Sequence, residues 1–185
     1  MAIEMAGQTH RLRVYLRDGQ VRSASVEMGR ASFDAAQIPA ALDLPEVIDH
    51  PLSIGGRKDR ITCVSVGNPH CVVFTDAIDS IDLAAVGPQY ECAPCFPERI
   101  NTEFVRIINK TTLRLRVWER GSGETLACGT GACAAVAAAI RTGRCDAGKD
   151  ILVKLPGGDL TVRDQDGKLT LTGDTVLVFE GVVES

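Results

Sequence analysis

The run Glu119-Arg120-Gly121-Ser122-Gly123-Glu124-Thr125-Leu126-Ala127-Cys128-Gly129-Thr130-Gly131-Ala132-Cys133-Ala134 concentrates the residue types that could do chemistry. A strand is expected to end on Glu119 and Arg120. A glycine-rich turn follows, and Cys128 is expected at the first turn of a small-residue helix. A thiol placed there lies in the field of the helix dipole, so its pKa is expected to fall toward neutrality. The amides of Gly129, Thr130 and Gly131 have no partner inside such a helix and form a seat for a carboxylate. The glycines let a ligand come close to the backbone. A thiol base beside a carboxylate seat is what removal of a proton next to a carboxyl group requires. The competing reading is structural, since a Cys in a small-residue helix often serves as a small buried hydrophobe. The Gly-Thr-Gly flank and the adjoining Glu119-Arg120 pair favour the chemical reading.

Other candidates carry less. Cys92-Ala93-Pro94-Cys95 invites a redox or zinc reading, which makes a non-catalytic thiol or metal-binding module the alternative from another class. A single pair without a second pair or suitably spaced histidines is a weak zinc signature. His70 reads equally as a capping or core histidine, and Asn68 before Pro69 is an ordinary turn former. Arg11, Arg13 and Arg17 read as one solvated strand face.

The elements that must place these residues follow from the pattern. Leu12, Val14 and Leu16 alternate with Arg11, Arg13, Tyr15 and Arg17, then Asp18-Gly19 turns into an extended run from Val21 to Met28: a hairpin. Residues 34–60 read as looser, broken by Pro39, Pro45, Pro51 and Gly55-Gly56. A strand pair is expected at Ile61–Val66 and Cys71–Phe74, a short helix at Ser80–Gly87, and a Pro-rich loop at Cys92–Pro97. Further strands are expected at Glu103–Ile108 and Thr111–Glu119, with Leu113, Leu115 and Val117 facing one way. The helix after Cys128 should end near Arg141, with Gly143 as its stop. Strands at Ile151–Leu155, Leu160–Val162, Leu169–Thr172 and Val176–Phe179 complete the chain. This order predicts an α+β fold, a mixed but mostly antiparallel sheet curled around one central buried helix.

Composition bounds the partners. With 185 residues, 45% hydrophobic and 24% charged, the chain has the balance of an ordinary globular protein. A net charge of −4 without a basic patch argues against nucleic acid. The longest small-apolar stretch, Ala132–Ile140, is too short to span a membrane. Glu4 without an apolar core behind it argues against a signal peptide. Seven cysteines, an odd number with no scaffold spacing, suit reduced thiols in a cytoplasmic setting.

The run Glu119–Ala134 closely resembles the second catalytic-cysteine motif of the diaminopimelate epimerases. The likeness continues in Gly67-Asn68-Pro69-His70-Cys71-Val72-Val73-Phe74, Ile100-Asn101-Thr102-Glu103-Phe104 and Leu155-Pro156-Gly157-Gly158, and so extends over nearly the whole chain. Proline racemases share a Cys-Gly-Thr-Gly core without the Glu-Arg-Gly-x-Gly lead, and another racemase of that type is the alternative among enzymes. The resemblance implies epimerisation of LL-diaminopimelate to the meso form without cofactor or metal, by two thiols exchanging an α-proton. It implies that Cys128 is one of those thiols. Gly129 and Thr130 would hold the reacting carboxylate, while Asn68, Asn101, Glu119 and Arg120 bind the substrate. His70 and Glu119 would influence the thiols, and a homodimer is possible. In the family the partner cysteine lies earlier, in a Cys-Gly-Asn-Gly type motif, whereas Cys-Gly occurs here once, at Cys128-Gly129. The resemblance therefore implies one of two pseudo-symmetric domains, with 29–173 intact, 1–28 and 174–185 remnants of an absent N-terminal domain, and the chain inactive alone.

Overall fold

The computed structural model describes residues 1–5 and 8–182. The chain runs through β1 (Ala2–Met5), β2 (Gln8–Arg17), β3 (Gln20–Arg30), β4 (His50–Ile54), β5 (Arg57–Ser65) and β6 (Pro69–Phe74). It continues through α1 (Leu83–Glu91), β7 (Asn101–Asn109), β8 (Thr112–Glu119), β9 (Gly123–Thr125) and α2 (Gly129–Arg141). It closes with β10 (Asp150–Leu155), β11 (Gly158–Gln165) and β12 (Lys168–Asp174). The strands join one sheet in the order β1-β2-β3-β12-β11-β10-β8-β7-β6-β5-β4, with β9 paired to β8. Two neighbours, β10 with β8 and β6 with β7, are parallel, and every other pairing is antiparallel. This is the mixed, mostly antiparallel α+β sheet that the pattern implied.

The sheet curls around α2, and the composition of α2 explains how. Every residue from Gly131 to Ala139 is buried, and none is larger than valine. A helix so thin lets strands approach on all sides. Its shell is Val64, Val72, Val105, Leu113, Leu115, Ile151, Val153, Val162 and Leu169. The opposite face of the central strands builds a second core, in which Ile61, Cys63, Cys71, Val73 and Phe104 meet Ile38, Val47, Leu83 and Tyr90. Neighbours such as Val72 and Val73, or Phe104 and Val105, thus serve different cores, as the two-residue alternation of a strand requires. The helix stops at Thr142, followed by Gly143 with φ 70°, as expected of a left-handed terminator.

The first hairpin is present, turned by Asp18 and Gly19 at φ 55° and 75°, the sign a tight two-residue turn demands. Arg11, Arg13 and Arg17 are exposed on it. Four expectations need correction. Residues 34–60 contain β4 and the start of β5, with Gly55-Gly56 forming the hairpin turn between them. Pro51 does not prevent this, because β4 is the outermost strand and has one side free of ladder bonds. The short helix begins at Leu83, capped by Asp82, and runs past Gly87 to Glu91 with Pro88 inside it. The glycine-rich connection contains the short strand β9. Finally, Val176–Phe179 is not a strand: Val176 is 83% and Phe179 81% exposed, and β12 ends before it at Asp174. Among the described residues no helix is long and apolar enough to cross a membrane.

Helix α1 lies flat on the end of β8. A Cβ added to Gly87 would stand 2.2 Å from Cδ2 of Trp118. Gly87→Ala should therefore destabilise the protein by about 1–3 kcal/mol or more through overpacking, measured as a lower midpoint of thermal unfolding. An unchanged midpoint would show that α1 does not rest on the indole.

Candidate active site

Cys128 caps α2 rather than lying in its first turn. Its backbone is extended, with φ −138° and ψ 112°, and its Sγ accepts the Gly131 amide at 3.3 Å. Ala132 N–H closes the first helical bond to Cys128 O at 2.9 Å. The Gly131 amide is thus taken, which corrects the expected three-amide seat to two, Gly129 and Thr130. The loop before Cys128 is pinned from the far side, where Gly157 N–H donates to Leu126 O at 2.8 Å. A Cβ on Gly157 would come within 3.0 Å of that same oxygen. The turn after β10 therefore needs glycine there and fixes where α2 begins.

Beneath the thiol lies a polar chain inside the apolar shell. The turn between β5 and β6 carries Asn68, β6 carries His70, and β7, parallel to β6, carries Glu103. Both His70 and Glu103 are fully buried. Glu103 Oε1 is 2.7 Å from His70 Nδ1, and His70 Nε2 is 2.9 Å from Asn68 Oδ1. Asn68 Nδ2 donates to Thr130 Oγ1 at 3.3 Å, and that hydroxyl lies 3.5 Å from Cys128 Sγ. A carbonyl oxygen only accepts, so His70 Nε2 carries a hydrogen. Thr130 Oγ1 accepts from Asn68 and so keeps its own hydrogen for the sulfur. Donors thus run toward the thiol from His70 to Thr130, and the sulfur faces both the Thr130 O–H and the Gly131 N–H.

Helix-start position does not dominate the acidity of Cys128. Burial pushes its thiol up from the ordinary value; the Thr130 hydroxyl and the Gly131 amide pull it down, and the Glu103 and Glu119 carboxylates push it up again. The net direction is upward, correcting the expected fall toward neutrality. The cost of moving a thiolate out of water outweighs two neutral donors. The Glu103 carboxyl is likewise raised, first by burial, against the pull of the His70 ring.

The other expected residues stand at the edge of this chain. Glu119 ends β8, with Oε1 accepting the Thr125 hydroxyl. Arg120 is exposed and donates from Nη1 to Glu98 O at 3.1 Å. Asn101 is committed at both ends of its amide: Nδ2 donates to Pro69 O at 2.8 Å, and Oδ1 accepts Arg120 N–H at 2.9 Å. It ties the start of β6 to the end of β8. Cys92 is exposed and Cys95 half-buried. Among the described residues no group of three His, Cys, Asp or Glu stands close enough to hold a metal.

Glu103 was not singled out by its residue type, although a signal for it existed. It shares a face of β7 with Val105 and Ile107, both packed in the core around α2. A carboxylate at that period lies under the helix and must find a partner. Its Oε2 has none.

Comparison with known proteins places the chain in a family. A family model described as Diaminopimelate epimerase matches residues 62–178. A diaminopimelate epimerase of Thermosynechococcus vestitus is 49% identical over 173 residues, covering 90% of this chain and 59% of that protein. One of Synechocystis is 47% identical over 173 residues, covering 91% and 60%. The chain thus spans about three fifths of the length of these relatives. Among solved structures, a hydroxyproline epimerase from Agrobacterium vitis with bound trans-4-hydroxy-L-proline superposes with a TM-score of 0.61 at 16% identity, covering 94% of this chain and 55% of that one. A "Predicted Epimerase" from Pseudomonas aeruginosa gives 0.56 at 18% identity, covering 97% and 66%. At such identities the structures speak for the fold alone. The sequence matches go further, and the chain belongs to the diaminopimelate epimerase family.

Proposed function

We propose that this chain supplies one face of a cofactor-independent epimerase that interconverts LL- and meso-diaminopimelate, with Cys128 as the group that takes and returns the α-proton on that face. The observation that carries the reading is the thiol at the start of α2, set beside the two free amides of Gly129 and Thr130 and above the buried chain of Asn68, His70 and Glu103. A substrate carboxylate seated on those amides brings its α-carbon to the sulfur. Negative charge that develops on the carboxylate as the proton leaves is met by the same amides, which are already aimed. Asn68 and His70 act from behind, by orienting the Thr130 hydroxyl toward the sulfur. Exposed Arg120 suits a second carboxylate by its planar fork, and Glu119 beside it suits an amino group.

Inversion needs a second acid–base group on the opposite face of the α-carbon. Among the described residues the other cysteines lack the setting of Cys128: Cys63 and Cys71 are buried in strands, and Cys133 lies inside α2. We propose that the second thiol is not among these 185 residues. On this reading residues 29–173 are the catalytic unit, and the stretches 1–28 and 174–185 belong to a second domain.

Three outcomes test this. Saturating LL- or meso-diaminopimelate should slow alkylation of Cys128 by iodoacetamide, followed by peptide mass spectrometry, whereas proline should not. No protection by diaminopimelate would overturn the substrate reading. In the free protein the alkylation rate should still be rising with pH about one to two units above 8.5, where the thiolate fraction of an ordinary thiol has levelled off. Burial holds the Cys128 thiol protonated to higher pH, so lowering the pH removes the reactive thiolate; a plateau near neutrality would contradict the site as described. The 185-residue chain, incubated with LL-diaminopimelate under reducing conditions, should form meso product at less than about a thousandth of the rate of a full-length relative, an allowance set by the loss of one acid–base group. Comparable turnover would show that both groups lie within it.

A further inference from the structure

Glu91, at the last turn of α1, is buried although it is a carboxylate. Both of its oxygens accept from one short stretch of chain: Oε2 takes the indole N–H of Trp118 at 2.7 Å, and Oε1 takes the backbone N–H of Gly121 at 3.0 Å. Arg99 stands 3.5 Å from Oε1 and balances the charge. Between the two anchor points lie Glu119 and Arg120. The Arg120 amide, in turn, is held by Asn101. The approach is forced to be close, since Gly87 of the same helix leaves no room for a Cβ against Trp118.

We propose that Glu91 is a positioning residue, a buried carboxylate clamp that spans Trp118 to Gly121 and fixes where Glu119 and Arg120 present themselves to substrate. It rests on the reading above that Glu119 and Arg120 face the substrate. The clamp needs a carboxylate specifically. Two donors point at its two oxygens, and an amide offers one acceptor and a second atom that only donates. In Glu91→Gln, either Trp118 Nε1–H or Gly121 N–H must face an N–H₂ group. A role confined to holding α1 on the sheet would be served by any side chain of that size.

The test uses the 185-residue chain and two readouts. Backbone amide exchange at Gly121 should accelerate about tenfold in Glu91→Gln, and the concentration of meso-diaminopimelate that half-protects Cys128 from alkylation should rise about tenfold, the effect of one lost hydrogen bond to a charged group. The rate of Cys128 alkylation without ligand should not change. The double variant Glu91→Gln with Trp118→Phe removes the competing donor, so the Gln oxygen can turn to Gly121; exchange and protection should return to within about threefold of the unsubstituted protein, an allowance for the lost indole packing. Unchanged exchange at Gly121 together with unchanged protection in Glu91→Gln, or a double variant no better than the single one, would overturn the clamp. If diaminopimelate protects none of the three proteins, the substrate reading fails, and exchange at Gly121 alone decides the role of Glu91.

Discussion

The closeness of the sheet to α2 is the constraint from which the other features follow. Strands can surround a helix only if its radius is small, and the run from Gly131 to Ala139, all glycine, alanine, cysteine and a single valine, meets that condition. Close packing of this kind leaves no room for adjustment. A Cβ on Gly131 would lie 2.9 Å from Glu103 Oε1 and 3.2 Å from Cys128 Sγ. The helix therefore presses its first turn directly onto the carboxylate below it. The position of Cys128 is set by that contact, by the Gly157 bond behind it, and by the strands that carry Asn68 and His70.

Enclosure changes the chemistry of the site in a way that helix polarity alone does not convey. Burial raises both the Cys128 thiol and the Glu103 carboxyl, so the resting arrangement favours proton-bearing groups in a dry setting. In the proposed reaction the Cys128 thiol keeps its proton until bound substrate surrounds it with fixed dipoles. The two amides at the start of α2 are such dipoles and need not reorganise as charge develops. The unpartnered Oε2 of Glu103 carries a desolvation penalty that packing alone would not require. Buried, incompletely satisfied groups of this kind gather where a site is built for function rather than for stability.

Away from α2 the sheet loses its cover. Strands β1–β3 extend beyond β12, and Tyr15, Leu16 and Val21 are exposed on them. The tail after β12 leaves Val176, Leu177, Val178 and Phe179 in solvent. The alternating hairpin pattern at residues 11–28 formed strands, since a hairpin supplies its own partner. The equally apolar Val176–Phe179 did not, and its side chains are left exposed.

The sequence alone determined the fold class, the strands with strict alternation and the placing of α2. Those rest on local periodicity, on small residues in a run, and on motifs in which spacing and residue type travel together. Cys128 and Thr130 stood out by their motif, Asn68 and His70 only through the family resemblance, and the structure joins all four. Three things depended on tertiary structure. Glu103 and Glu91 look like unremarkable acids in sequence; only the pairing of β6 with β7, and the seating of α1 on Trp118, reveal that each is buried and committed. Asn101 was read as a substrate ligand, and only the structure shows that its amide also joins the start of β6 to the end of β8. The acidity of Cys128 reversed from expectation because a helix terminus is a local feature that sequence reports. Desolvation is a sum over every surrounding element and exists only once the chain has closed around the thiol.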